Sequence, residues 1–198
     1  MNRRFSNITG VVLVGGKSRR MGQDKALLPV DGQPVIERVL AALQGCFEKI
    51  ILVGDRPERF AQYQLPVVAD LYPGSSLGGL YTGLQQAGTD RIFVASCDMP
   101  FPNPGLIRLI CRQAGQYDAI MPTTAKGLEP LFACYRASCL PAMRAALEAG
   151  TYRITGILEQ LQVKELGPEL LAQVDPGGRA LLNINTPQEY AVCQGLTS

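Results

Sequence analysis

Short β-branched runs alternate along the chain with segments whose apolar residues recur at helical spacing. Val11, Val12, Leu13 and Val14 form an unbroken apolar run, as a strand buried on both faces requires. Val35, Ile36, Val39, Leu40 and Leu43 then mark one helical face over residues 34–43, with Gly45 as a stop. Residues 50–53, 67–69 and 92–95 read as further strands. Residues 80–87 read as a helix fed by Gly78 and Gly79. Asn103-Pro104 is an N-cap followed by proline at the first helical position, predicting a helix to about Gln113. Residues 119–121 and 131–135 are expected strands, and 141–149 and 154–161 expected helices. Asp175-Pro176-Gly177-Gly178 is a turn, residues 181–184 a last strand, and Thr186-Pro187-Gln188-Glu189 a capping box opening a final helix. Strands alternating with helices predict an α/β fold with a mostly parallel central sheet flanked by helices. No repeat, linker or charge run divides the 198 residues, so one domain is expected.

Composition narrows the chemistry. The chain is 46% hydrophobic and 18% charged, which excludes a disordered chain and a coiled coil. Nineteen basic residues face 17 acids; a net charge of +2 argues against a nucleic-acid binder. Histidine is absent, which removes serine-hydrolase triads, cysteine–histidine dyads and imidazole zinc sites. Catalysis then falls to carboxylates, Lys, Arg, backbone amides or a hard metal ion. The six cysteines form no CxxC pair and read as buried residues of a protein kept in a reducing cytoplasm. The apolar run near the N-terminus is too short for a signal peptide or a membrane span, so no membrane partner is expected.

The most informative stretch follows the first strand: Leu13-Val14-Gly15-Gly16-Lys17-Ser18-Arg19-Arg20-Met21-Gly22-Gln23-Asp24-Lys25. Open α/β sheets place ligand loops there. Glycines let backbone N–H groups approach a phosphate, and Arg19, Arg20 and Lys25 supply cations. Gly16-Lys17-Ser18 mimics the end of a P-loop, but that motif needs glycine at position 11, which is Val11. The dinucleotide fingerprint fails as well, since Gly15 and Gly16 are adjacent. Asp98 and Asp70 each follow a strand, and Asp98 suits a magnesium ion that otherwise takes phosphate oxygens. Ser75-Ser76-Leu77-Gly78-Gly79 offers small residues and helix-start amides to a base or ribose.

The pattern L-x-G-G-x-x-x-R-M-G-x-D-K resembles the signature loop of nucleotidyltransferases with a Rossmann-like core. With Cys97-Asp98-Met99-Pro100, Glu129-Pro130-Leu131 and Asn183-Ile184-Asn185-Thr186-Pro187, the chain is similar to the molybdenum cofactor guanylyltransferases over nearly its whole length. The resemblance implies transfer of GMP from GTP to the phosphate of molybdopterin, with release of pyrophosphate. It implies Mg2+ on Asp98 and catalytic roles for Arg20, Lys25 and Asp98. GTP would lie against Leu13, Val14, Gly15, Gly16, Lys25, Asp70, Gly78, Gly79 and Asp98, in a nucleotide half of about residues 8–100. The acceptor would occupy the half from about 101 to 198, where Glu129, Arg153, Asn183 and Asn185 are candidate contacts among charges that also include Lys126, Arg136 and Arg144. A monomer is expected, meeting other molybdenum-cofactor proteins only transiently.

Three positions depart from the family pattern. Ser76 stands where relatives carry proline, Val14 where alanine is usual, and Val53 where an asparagine helps hold the nucleotide. These departures keep a cytidylyltransferase open as an alternative. A nucleotide-binding adaptor without turnover is the other, and the intact Arg20, Lys25 and Asp98 set argues against it.

Overall fold

The computed structural model describes residues 3–15, 25–54 and 56–196. Its framework is the strand that the apolar run predicts, lengthened to β1 (Phe5–Leu13). Phe5 joins because its ring packs against Phe47 and its N–H reaches the Cys46 carbonyl, contacts that no local pattern announces. Following β1 come α1 (Val35–Gln44), β2 (Phe47–Gly54), β3 (Val67–Ala69), α2 (Ser76–Gln86), β4 (Arg91–Ser96) and α3 (Pro104–Arg112). The second half adds β5 (Ala119–Thr124), β6 (Phe132–Arg136), α4 (Leu140–Glu148), β7 (Val163–Leu166), α5 (Pro168–Ala172) and α6 (Pro187–Gly195). Among the described residues the main sheet runs β7-β5-β6-β4-β1-β2-β3, and the short strand Gly127–Leu128 pairs with β5.

Every neighbouring pair along that order is parallel except those made by β6, which runs against both β4 and β5. The reversal positions the site. The register sets Leu13 beside Val53 and Ser96, and Gly54 beside Ala69, so β1 to β4 all end at one edge. Because β6 is antiparallel, its first residue Phe132 lies opposite Ala95 at that same edge. The segment before Phe132 is thereby carried to where the other strands finish.

Side chains alternate across the sheet. Val12, Leu52, Phe93 and Phe132 pack with α1 and α3 on one face; Val11, Ile51, Val94 and Tyr135 pack with α2 and α4 on the other. All six cysteines are buried with free thiols. No helix of the described residues is long and apolar enough to cross a membrane.

Several local expectations hold for the stated reasons. The Asn103 side chain accepts from the Gly105 and Leu106 N–H groups with Pro104 in the first turn, and Thr186 and Glu189 close a capping box at α6. Others need correction. The helix expected from residue 80 begins at Ser76, with Gly78 and Gly79 inside its first turns and the Ser75 hydroxyl capping the Gly78 N–H at 2.9 Å. Glycine's weak helix propensity yields here to packing, since a Cβ on Gly78 would stand 2.2 Å from the Tyr72 carbonyl oxygen and one on Gly83 2.8 Å from Val11. Residues 154–161 form a 3-10 helix (Ile154–Gln160). Residues 181–184 are not a strand; Ile184 is buried and its N–H meets the Asp98 carbonyl at 2.9 Å, a single crossing bond and no ladder. The last strand is instead β7, on the edge beside β5.

Candidate active site

Past the ends of β1, β2 and β4 lies a cleft of about 250 Å³ floored by Leu13, Val53, Ser96 and Leu131 and walled by Gly15, Asp70, Gly79 and Asp98. Gly54 allows the turn after β1 to lie down over β2, because a Cβ there would sit 2.9 Å from Val14. The Val14 N–H bonds the Val53 carbonyl at 2.8 Å, and its side chain packs in the core. Val53 contributes to the floor without a polar side-chain atom.

Asp70 is held in a fixed rotamer. Its Oδ1 accepts from the Tyr72 N–H at 2.9 Å and from the buried Thr82 hydroxyl at 3.1 Å, while the Thr82 oxygen accepts from the Leu71 N–H. Oδ2 lies near Gly79, where an added Cβ would come within 3.7 Å. Gly79 therefore keeps the wall low. Gly78 does not reach the cleft; it is buried under Tyr72, and that packing accounts for its lack of a side chain.

Asp98 is the electrostatic centre. Burial pushes its carboxyl above the ordinary aspartate range, opposed by a hydrogen bond with the Ser96 side chain and by the positive charge of Lys25. Its Oδ1 is closed off from solvent and has no hydrogen-bond partner among the described residues. A buried carboxylate oxygen without a donor is costly in the free protein. It is also the donor that a hard cation takes, and magnesium is commonly held by one or two carboxylates with phosphate and water completing the shell. The residues present thus fit one divalent ion brought in with a polyphosphate. Among the described residues no cluster of three acidic, cysteine or histidine ligands occurs.

A second cleft, about 480 Å³, lies between the segment before β6 and the α6 region and is lined by Lys126, Glu129, Asn183, Asn185, Glu189 and Val192, among others. Glu129 is half-buried and its carboxyl is raised by that burial, countered by Thr124 at 3.4 Å and by Lys126. Lys25 links residues of the two clefts: its Nζ donates to Asn185 Oδ1 at 2.8 Å across 160 positions of sequence, and its positive charge acts on Asp98. Glu189 fixes this corner by accepting from the Asn185 and Thr186 N–H groups at 2.7 and 3.0 Å.

Of the residues singled out from sequence, Leu13, Gly15, Asp70, Gly79 and Asp98 line the first cleft and Glu129, Asn183 and Asn185 the second. Lys25 joins them. Gly16 and Arg20 lie outside the described residues. Arg153 is not with the others: it is exposed at the start of the 3-10 helix, whose Ile154 and Ile157 pack on the α2–α4 face. Arg136 pairs with Asp90 at the far end of β6, and Arg144 pairs with Glu148 along α4. Ser96 and Thr82 were not legible as site residues. Ser96 ends β4 and Cys97-Asp98 is already a turn, so no strand alternation ties the two side chains together in the sequence.

The family model described as MobA-like NTP transferase domain matches residues 10–165. A probable molybdenum cofactor guanylyltransferase of Natranaerobius thermophilus is 35% identical over 92% of this chain and 93% of its own length. One from Pelotomaculum thermopropionicum is 36% identical, covering 91% and 89% respectively. The crystal structure of molybdopterin-guanine dinucleotide biosynthesis protein A from Archaeoglobus fulgidus superposes with a TM-score of 0.85 at 28% identity, over 96% of this chain and 98% of that one. With these likenesses added to a ligand cleft at the sheet edge and a glycine turn after β1, the chain belongs to the MobA-like NTP transferase family of nucleotidyltransferases.

Proposed function

We propose that the chain transfers GMP from GTP, bound in the first cleft, to the phosphate of molybdopterin, bound in the second, and releases pyrophosphate. The observation that supports this reading most is that Lys25 bonds Asn185 of the second cleft while its charge acts on Asp98 of the first. An acceptor phosphate is already an anion, so no general base is needed and a chain without histidine suffices. An acceptor phosphate oxygen attacks the α-phosphorus as the bond to the leaving pyrophosphate breaks. Held at Asp98, Mg2+ would neutralise phosphate oxygens and withdraw charge from the reacting phosphorus.

The chain's own groups do the positioning. Gly15 offers its backbone at the end of β1, and Asp70, fixed by Thr82, presents a carboxylate toward the purine or ribose. Lys25 exchanges its Asn185 partner for phosphate oxygen and offsets charge on the departing group. Arg20 and Gly16 complete the phosphate loop by family likeness. Glu129, Asn183 and the released Asn185 amide face the acceptor. Both clefts belong to one chain, so a monomer is sufficient, and a cytoplasmic enzyme agrees with six buried free thiols.

Melting the protein with Mg2+ and either GTP or CTP tests base choice, because a ligand that binds only the folded state raises Tm. GTP should raise Tm and CTP should not. The reverse would make the chain a cytidylyltransferase. Pyrophosphate release on adding molybdopterin tests turnover, and its absence with GTP bound would reduce the chain to a nucleotide-binding protein.

A further inference from the structure

Arg38 lies outside both clefts, on α1, yet it grips the two segments that carry the reacting charges. Its Nε donates to the Pro100 carbonyl at 2.7 Å, two residues after Asp98. Its Nη1 donates to the Val30 carbonyl at 3.1 Å, five residues after Lys25. The guanidinium carbon also sits 5.5 Å over the Phe101 ring, which fixes the plane of the fork. Around these contacts both segments are packed: Ala26, Leu28, Val30, Met99 and Pro100 are buried, and the Val35 N–H ties α1 to the Leu28 carbonyl at 3.0 Å. A planar guanidinium can serve two carbonyls on different loops at once, whereas a lysine ammonium is a point donor.

We infer that Arg38 is a positioning residue for nucleotidyl transfer, setting the distance between the Lys25 segment and the Asp98 loop from behind the site. This rests on the proposed function for its activity readout, and on Asp98 as the cation ligand for its binding readout. Displacing a reacting group by about 1 Å can cost on the order of a hundredfold in rate. Loss of Arg38 should therefore be felt in turnover out of proportion to stability. The residue borders an open groove of about 650 Å³ shared with Phe101 and Arg179, so the space left by truncation can be reached from solvent.

The test is Arg38→Ala and Arg38→Lys, each measured for kcat, for KM of GTP, for Mn2+ affinity by the free-ion electron paramagnetic resonance signal, and for Tm. Arg38→Ala should lower kcat at least tenfold with KM for GTP changed less than threefold. It should weaken Mn2+ binding severalfold, and millimolar ethylguanidinium should restore a good part of both losses. Arg38→Lys should recover neither. Wild-type kcat and Mn2+ affinity in Arg38→Ala would overturn the proposal. So would full recovery by lysine, or a loss that tracks a fall in Tm and does not respond to ethylguanidinium. If the wild-type chain shows no transfer at all, the proposed function fails by itself, and the Mn2+ titrations still decide whether Arg38 holds the Asp98 loop.

Discussion

Replacing Asp98 by asparagine should make the protein more stable at neutral pH while ending transfer. The structure leaves Asp98 Oδ1 buried and without a partner among the described residues, a place that disfavours the charged carboxylate. A buried polar group left unsatisfied costs about 1–3 kcal/mol, and more when charged. Asparagine keeps the shape and removes the charge but forfeits the attraction of Lys25, so a net gain of about 1–2 kcal/mol is expected. For a chain of this size each kcal/mol moves Tm by roughly 2–4 °C, giving a rise of roughly 2–8 °C. The pH dependence fixes the cause. Because the folded carboxyl binds its proton more tightly than the unfolded one, Asp98 favours folding fully below about pH 4, the unfolded value. That contribution is lost as pH rises through the raised folded value. The advantage of the variant should therefore be small in acid and grow toward neutrality. Melting curves from pH 4 to 8 in EDTA measure it. A variant no more stable than wild type at pH 7.5, or a difference that ignores pH, would refute the reasoning. Adding GTP with Mg2+ should raise Tm of the wild type and leave the variant nearly unmoved.

Other substitutions separate binding, chemistry and packing. Lys25→Ala should cut kcat well over tenfold with an unchanged circular dichroism spectrum, since the side chain is only half-buried and anchors no core; an unaffected rate would remove it from the mechanism. Asn185→Ala should raise KM for the acceptor at least tenfold yet leave GTP affinity unchanged or up to about fivefold tighter, because the exposed bond it removes holds Lys25 by no more than about 1 kcal/mol. Weaker GTP binding with a normal acceptor KM would place Asn185 on the nucleotide side. Gly78→Ala drives a Cβ to 2.2 Å from the Tyr72 carbonyl oxygen, a backbone contact that cannot swing aside. It should cost about 1–3 kcal/mol, read as a lower Tm, and wild-type stability would show that Tyr72 gives way.

The parts legible in the sequence were those whose signal is local. An unbroken apolar run specified β1, the Asn103 and Thr186 caps specified the starts of α3 and α6, and Asp70 and Asp98 were visible because each follows a strand end. What failed were features decided by distant partners. β7 carries Lys164 and Glu165 in its middle; each is accommodated by a neighbour, Lys164 on Gln113 and over the Tyr117 ring, Glu165 by the Thr123 hydroxyl. An edge strand with such side chains has no apolar alternation to read. Residues 181–184 carry the composition of a strand but are covered by the core without a ladder partner, so composition misled. Arg153 was chosen for its charge alone, and charge says nothing about which side of the sheet a residue occupies.

The antiparallel insertion of β6 brings segments of both chain directions to one edge of the sheet, which is what the proposed pairing of two substrates requires. In an all-parallel sheet, loops at the ligand edge follow strands and lead into helices, so the edge is supplied from one chain direction only. Here β6 brings in the loop that precedes it, and Leu131 stands beside Ser96 and Asp98 because Phe132 pairs with Ala95. The Ser96 N–H bonds the Leu131 carbonyl at 3.1 Å, and the Asp98 carbonyl receives Ile184. The turn that carries Asp98 thus grows from β4 and is held by backbone bonds from the segment before β6 and from Ile184. Under the proposed function, a shift of either backbone partner would move the Asp98 turn, so the main-chain bonds alone would couple the two clefts.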